Sequence, residues 1–218
     1  MIANYDPIKE RIMTKPIIKS AATAADEAST IGVLVRAFSA DPVAQWIWHD
    51  LQQYYIHFPS FVRAFGGRAF THESAYYVDG YAATALWLPP NIHPDEEKLI
   101  NVVQRTVSKQ IQKDFFQVFK LMSRYHPSEP HWYLPLMGVD PLQQGKGFGS
   151  ALLQHTLIQC DRDSRLAYLE SSNPRNIQLY ERHDFELLGK IQAGTSPPIF
   201  PMLRRPRRDS SMPVAFHN

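Results

Sequence analysis

The chain has 218 residues, 44% of them hydrophobic, with 12 Phe, a single Cys at Cys160 and a formal net charge of +2. That length makes one domain with a substantial core the expectation. The near-neutral charge argues against a nucleic-acid partner, the lone Cys excludes an internal disulfide, and no apolar run reaches the ~20 residues of a membrane span.

The first fifteen residues, MIANYDPIKERIMTK, lack the apolar core of a secretion signal. With Cys160 free, a reducing, cytoplasmic setting is expected. Cys160 falls in a helical pattern and reads as a small core residue, not a nucleophile. There is no Cys-x-x-Cys pair and no His-Glu-x-x-His, and the nine His are scattered, so no metal site is expected.

In chain order, KPIIKSA (15–21) reads as a first strand and 26–38 as a helix with Ile31, Leu34, Val35 and Phe38 at helical spacing. Asp41-Pro42 opens a second helical segment. Residues 51–71 are helical, with Tyr54, Phe58, Phe61 and Phe65 at steps of three and four. Residues 74–90 form a hairpin about an Asp79-Gly80 turn. Over 94–125, Leu99, Val103, Val107, Ile111, Phe115 and Phe119 recur every four residues, predicting one long or two short amphipathic helices. HPSEP (126–130) ends them. HWYLPLMGV (131–139) is a buried strand in which Pro135 predicts a bulge or distorted pairing. A helix then runs to about Asp161, and RLAYLE (165–170) is a strand. Asn173-Pro174 caps a helix to about His183. FELLGKI (185–191) and IFPMLRR (199–205) are the last strands, and 206–218 reads as a loose tail. The arginines at 204, 205, 207 and 208 are expected to be a solvated strand end and tail, not an anion site.

The helix after 131–139 is preceded by GVDPLQQGKGFGSALL (138–153), with glycines at every second position, Gly145, Gly147 and Gly149. Lys146 is followed by Gly147, not Ser or Thr, so this is no Walker loop, and the glycine phase does not fit G-x-G-x-x-G either. What remains is the physics of all such loops: bare N–H groups at a helix N-terminus, with the positive end of the dipole, bind phosphate oxygens. A plain glycine-rich turn is the competing reading.

Two motifs in order decide between them. Gln144-Gly145-Lys146-Gly147-Phe148-Gly149 matches [RQ]-x-x-G-x-[GA], and LESSNPRNIQLYERHDFE (169–186) matches N-x-x-x-Y-x-x-x-G-F through Asn176, Tyr180 and Phe185. The chain here resembles the GCN5-related N-acetyltransferases (GNAT). Asp184 stands where that pattern has Gly, and Asp tolerates left-handed backbone. SEPHWYLPLMGVD, AFSADPVAQWIW and AATALWLPP further resemble the puromycin N-acetyltransferase branch. The likeness is sharp over 128–186 and loose over 30–128.

The resemblance implies an α/β (α+β) fold spanning 15–205. Its central sheet would be mixed, mostly antiparallel and flanked by helices, with a helical insertion at about 91–129 between strands 3 and 4 and tails at 1–14 and 206–218. It implies acetyl-CoA as co-substrate, with Met137, Gly138 and Val139 pairing the pantetheine arm. Strands 131–139 and 165–170 would splay to admit the arm. Gln144, Gly145, Lys146, Gly147, Phe148, Gly149 and Ser150 would hold the pyrophosphate, and Asn176 the arm. Tyr180 would protonate the leaving thiolate.

The base is less direct. The position that carries Glu in histone-acetylating relatives is Tyr133 here, so Glu170, ending the next strand, is the candidate, acting through water, with a structural carboxylate as the alternative. His131 is weaker, and Glu73 has no assigned place. Trp46, Trp48, Tyr54, Tyr55 and the insertion are either core or the wall of an acceptor pocket. The expected activity is acetyl transfer to a primary amine of a small molecule by direct attack in a ternary complex, by a monomer or homodimer. A protein or peptide N-acetyltransferase, or a non-catalytic acyl-CoA sensor, is the alternative.

Overall fold

The structure is a computed structural model, and it describes residues 15–207. Segments 1–14 and 208–218, including Arg208, lie outside the described residues. The elements are strand β1 (Ile18–Ser20), helices α1 (Ala24–Phe38), α2 (Pro42–Ile47), α3 (Leu51–Gly66) and α4 (Arg68–Thr71), and strands β2 (Ala75–Val78) and β3 (Ala83–Leu88). Then come α5 (Glu96–Thr106), α6 (Lys109–Met122), β4 (His131–Val139), α7 (Phe148–Arg162), β5 (Leu166–Ser171), α8 (Ile177–Glu181), β6 (Glu186–Leu187) and β7 (Phe200–Arg204).

Caps fix where the helices begin. Thr23 and Asp26 form a reciprocal capping box on α1. Asp41 accepts from the amides of Val43 and Ala44 at the start of α2, and Asp50 from Gln53 at the start of α3. The insertion is two helices, since Val107 and Ser108 are extended between α5 and α6. No helix among the described residues is long and apolar enough to cross a membrane.

The seven strands form one sheet in the order β1-β2-β3-β4-β5-β7-β6, and every neighbouring pair is antiparallel except β4 with β5. This is the GNAT fold, with α5 and α6 inserted between the third and fourth strands. Strand alternation splits the core in two. On one face, Leu86, Leu88, Tyr133, Leu136 and Tyr168 pack against Leu34, Phe58, Phe65, Phe115 and Val118 from α1, α3 and α6. On the other, Ala85, Trp87, Leu134 and Leu169 pack against Leu152, Leu153 and Leu157 of α7 and Tyr180 of α8.

Pro135 does what its missing N–H requires. Leu86 pairs with Leu136 but Leu88 with Tyr133, so β4 carries a bulge beside Pro135. On its other side β4 pairs with β5 only from His131 to Leu134. Beyond that rung Leu136–Val139 keep β3 as a neighbour, while Glu170 and Ser171 pair with β7. The two central strands thus diverge in a V.

Three expectations are corrected. The strand foreseen over 185–191 shrinks to Glu186–Leu187 and a lone bridge between Ile191 and Ile199, because the chain turns away after two rungs with β7. The helix foreseen from Asn173 to His183 is a 3-10 turn at Pro174–Asn176 followed by five α-helical residues. Arg204 is not solvated: it is 2% exposed and bidentate to Asp161 (2.7 and 2.9 Å), and its Nε donates to the His183 carbonyl. Arg207 is also fastened, through its amide to Asp161 and its side chain to Asp184, whereas Arg205 is exposed. Asp184 ends α8 in the left-handed region at φ 64°.

Candidate active site

The V between β4 and β5 opens into a cavity of 720 Å³. Its lining includes the expected CoA-contact and catalytic residues, Lys146 excepted: Met137, Gly138, Val139, Gln144, Gly145, Gly147, Phe148, Gly149, Ser150, Glu170, Asn176 and Tyr180. The Lys146 side chain instead donates to Gln143 at 2.7 Å.

The glycine loop has the shape that its sequence requires. Gly145 and Gly147 have φ of +76° and +80°, a region that side chains resist, and a Cβ at either would meet nothing within 4 Å. The space before the loop is therefore open, and Gly147 hands the chain to α7 as its N-cap. Amides of the first turn of α7 have no partners within the helix. Together with the one-sided strand edge at Leu136–Val139, this fits a diphosphate on an extended arm. The acetyl-CoA expected from the sequence would fit here, with the loop residues holding the diphosphate, Met137–Val139 and Asn176 the arm, and the thioester supplying the acyl group.

Tyr180 and Glu170 approach from opposite faces of the sheet. Tyr180 belongs to the α7–α8 side and is 7% exposed. Burial, and secondarily the charge of Asp41, raise its phenol, which stays protonated in neutral solution. Glu170 lies on the α3–α6 side, two residues after Tyr168 and one past the last β4–β5 rung. Its side chain is 4% exposed. Tyr133, in the place of the missing carboxylate, is buried beside it. Burial first and Glu170's charge next push the phenols of Tyr133 and Tyr168 up.

Asp41 is a residue that sequence reasoning took only as a helix start. It also lines the cavity, and its second oxygen accepts from Ser172 at 2.6 Å, tying α2 to the end of β5. Burial raises its carboxyl.

The far half of the cavity is apolar, with Trp46 from α2, Phe58, Phe61 and Phe65 from α3, and Phe115, Phe119 and Met122 from α6. Of the four aromatics left open between core and wall, Trp46 alone reaches it. Trp48 is core and donates to Thr106, Tyr54 is core and donates to the Val35 carbonyl, and Tyr55 is exposed. Glu73 sits in the turn before β2 and His131 at the far end of β4, both off the lining. The β6–β7 connection is fastened behind this half: Trp46 Nε1 donates to Thr195 Oγ1 (3.1 Å), and Thr195 donates twice to Asp114 of α6 (2.8 and 3.0 Å). No short-range pattern announces that latch.

The fold and the glycine loop point to a class, the acyltransferases, and comparison with known proteins agrees. Residues 113–187 match the model of the acetyltransferase (GNAT) domain. The chain is 27% identical to an uncharacterized N-acetyltransferase of Schizosaccharomyces pombe, over 92% of this chain and 84% of that one. Among solved structures, it shares its fold with a protein of Corynebacterium glutamicum described as histone acetyltransferase HPA2 and related acetyltransferase (TM-score 0.63, 24% identity, 90% of this chain and 99% of that). It shares it likewise with arylalkylamine N-acetyltransferase 2 of Aedes aegypti (TM-score 0.62, 11% identity, 89% and 100%). Residues 113–187 thus match a GNAT acetyltransferase domain within a chain that has the GNAT fold, and the chain is an acyltransferase.

Proposed function

We propose that the protein moves an acetyl group from acetyl-CoA to the primary amine of a small, largely apolar molecule, by direct attack in a ternary complex. The observation that carries this reading is one continuous cavity lined on one side by the glycine loop and the β4 edge and on the other by an aromatic wall. Substrate class follows from the wall. A pocket lined by Phe58, Phe61, Phe115 and Phe119, with Trp46 held in its wall by Thr195, suits a compact apolar body better than an extended polypeptide. The mosquito neighbour is described as acting on arylalkylamines, which supports the same reading. So does the resemblance to the puromycin N-acetyltransferase branch in AFSADPVAQWIW and AATALWLPP.

The roles in this reading are drawn from the cavity lining. Glu170 accepts the proton of the incoming ammonium, directly or through one water. The freed amine nitrogen attacks the thioester carbonyl; a C–N bond forms, the C–S bond breaks, and the second proton that the nitrogen sheds as it becomes an amide passes through solvent to restore the Tyr180 phenol. Amides at the V hold the carbonyl end of the arm in place, and the Tyr180 phenol gives its proton to the departing thiolate. The test is thiol release by purified protein with acetyl-CoA and a panel of arylalkyl, alkyl and polyamines and a lysine-rich peptide. Turnover confined to the peptide would overturn the small-molecule reading, and no turnover with any amine would favour an acyl-CoA sensor.

A further inference from the structure

The loop that returns from α6 to β4 brings His126 against the carboxylate of Glu170. Nε2 of His126 is 3.0 Å from Oε1 of Glu170. That oxygen is shut from solvent, and the angle of approach leaves it without a hydrogen bond of ordinary geometry. A buried carboxylate oxygen left unpaired costs about 1–3 kcal/mol or more, so a small turn of the imidazole that completes the bond is favourable. His126 is itself 26% exposed at its side chain, so it spans from the carboxylate to solvent.

The groups around the pair are few. From β4 come His131 and Tyr133, from β5 comes Tyr168, and Tyr125 flanks His126 in its own loop. Burial holds His131 below the ordinary imidazole value, so it is neutral in neutral solution; His93 acts on it only at longer range. The phenols of Tyr133 and Tyr168 stay protonated and face the Glu170 carboxylate as neutral donors. His126 is the side chain at contact distance from Oε1. Its ring is also held in place, 4.4 Å from the Tyr168 ring and 4.8 Å from that of Tyr133, centre to centre.

We propose that His126 is the positioning residue of the reaction: it engages Oε1, fixes the Glu170 carboxylate in its apolar surrounding, and leaves the other carboxylate oxygen to take the ammonium proton. The proposal rests on the reading of Glu170 as proton acceptor. It gives the insertion a second task, since the segment that walls the acceptor also delivers the group that tunes the base. A donor to a carboxylate favours its charged form, and removing it from a buried site favours the neutral one.

The experiment is the pH profile of kcat/KM for the best amine of the panel, with wild type, His126→Leu, His126→Gln and Glu170→Gln, each checked for folding and CoA affinity. His126→Leu is expected to move the acidic limb up by about one pH unit, with the loss mainly in kcat. His126→Gln, which keeps an N–H donor, is expected to return part of that shift. If the Leu variant loses the fold, His126→Asn, whose shorter amide falls short of Oε1, takes its place. An inactive Glu170→Gln beside a His126 variant with an unmoved limb would overturn the positioning role alone. Wild-type turnover by Glu170→Gln would overturn the reading of Glu170 as the base, and this proposal with it.

Discussion

The Ser150 hydroxyl lies 2.6 Å from Nε2 of His183, joining the first turn of α7 to the end of the Tyr180 helix. Burial lowers His183 below the ordinary imidazole value, so the ring is neutral in neutral solution. Ser150 is thereby held on the cavity wall at the helix N-terminus, where an oxyanion is favoured. Ser150→Ala is expected to weaken CoA binding about tenfold, the loss of one hydrogen bond to a charged group. Calorimetric titration checks it; unchanged affinity would mean that Ser150 serves only His183.

Tyr180→Phe removes one hydroxyl and keeps the ring that packs edge-on against Phe185. The expected result is a fall in kcat of roughly 10²-fold with CoA affinity nearly unchanged. The deficit should shrink with an acyl donor whose thiol leaves more easily. Single-turnover measurement is needed, because slow product release would mask the step. Wild-type turnover there would reduce Tyr180 to a packing residue.

The acceptor latch depends on Gly194. At φ +53°, its absent Cβ would stand 2.1 Å from the Asp114 carboxylate that holds Thr195. Gly194→Ala must therefore push Asp114 and Thr195 apart and free Trp46. We expect KM for the amine to rise roughly tenfold, a change of about 1.4 kcal/mol, while CoA affinity holds. A parallel loss of both would show that the latch supports the whole cavity.

Acid should destabilise the fold before the carboxylates titrate. Burial lowers His131, His155 and His183. In the unfolded chain these rings take up protons as pH falls through about 6.5, while the folded chain resists, so the unfolded state binds more protons and stability drops with pH. Asp41, raised by burial, opposes this in the carboxylate range. Asp26, held down to about 2 chiefly by Tyr81 and Thr23, reinforces it below pH ~4. Tm is expected to be lower at pH 5 than at pH 7; a flat Tm would mean that these rings titrate freely.

The path from β4 through the glycine loop to Tyr180 was legible because its signals are local: an apolar run, glycines at forced φ, an Asn-Pro cap. The helical insertion was legible from its four-residue period. What escaped were partners far apart in sequence. Arg204 reads as the start of a basic tail until the sheet sets it against Asp161. His126 reads as a helix stop until β5 places Glu170 beside it. The Trp46–Thr195 bond joins residues 149 apart. Trp48 and Tyr54 look the same as Trp46 in sequence, and only the packing of α3 decides which ring faces the cavity.

The divergence of β4 from β5 leaves a stretch of unpaired strand in the middle of the sheet, reachable through the cavity. Such a stretch is a template for other chains, and proteins commonly blunt theirs with charge or proline. Pro135 sits at the mouth of this one and removes a donor from it. The rest is left to whatever lies in the groove. Storage and heating should therefore divide the protein into two populations, with the ligand-free fraction clumping first and the saturated fraction staying dispersed, a difference that light scattering would register before any loss of secondary structure.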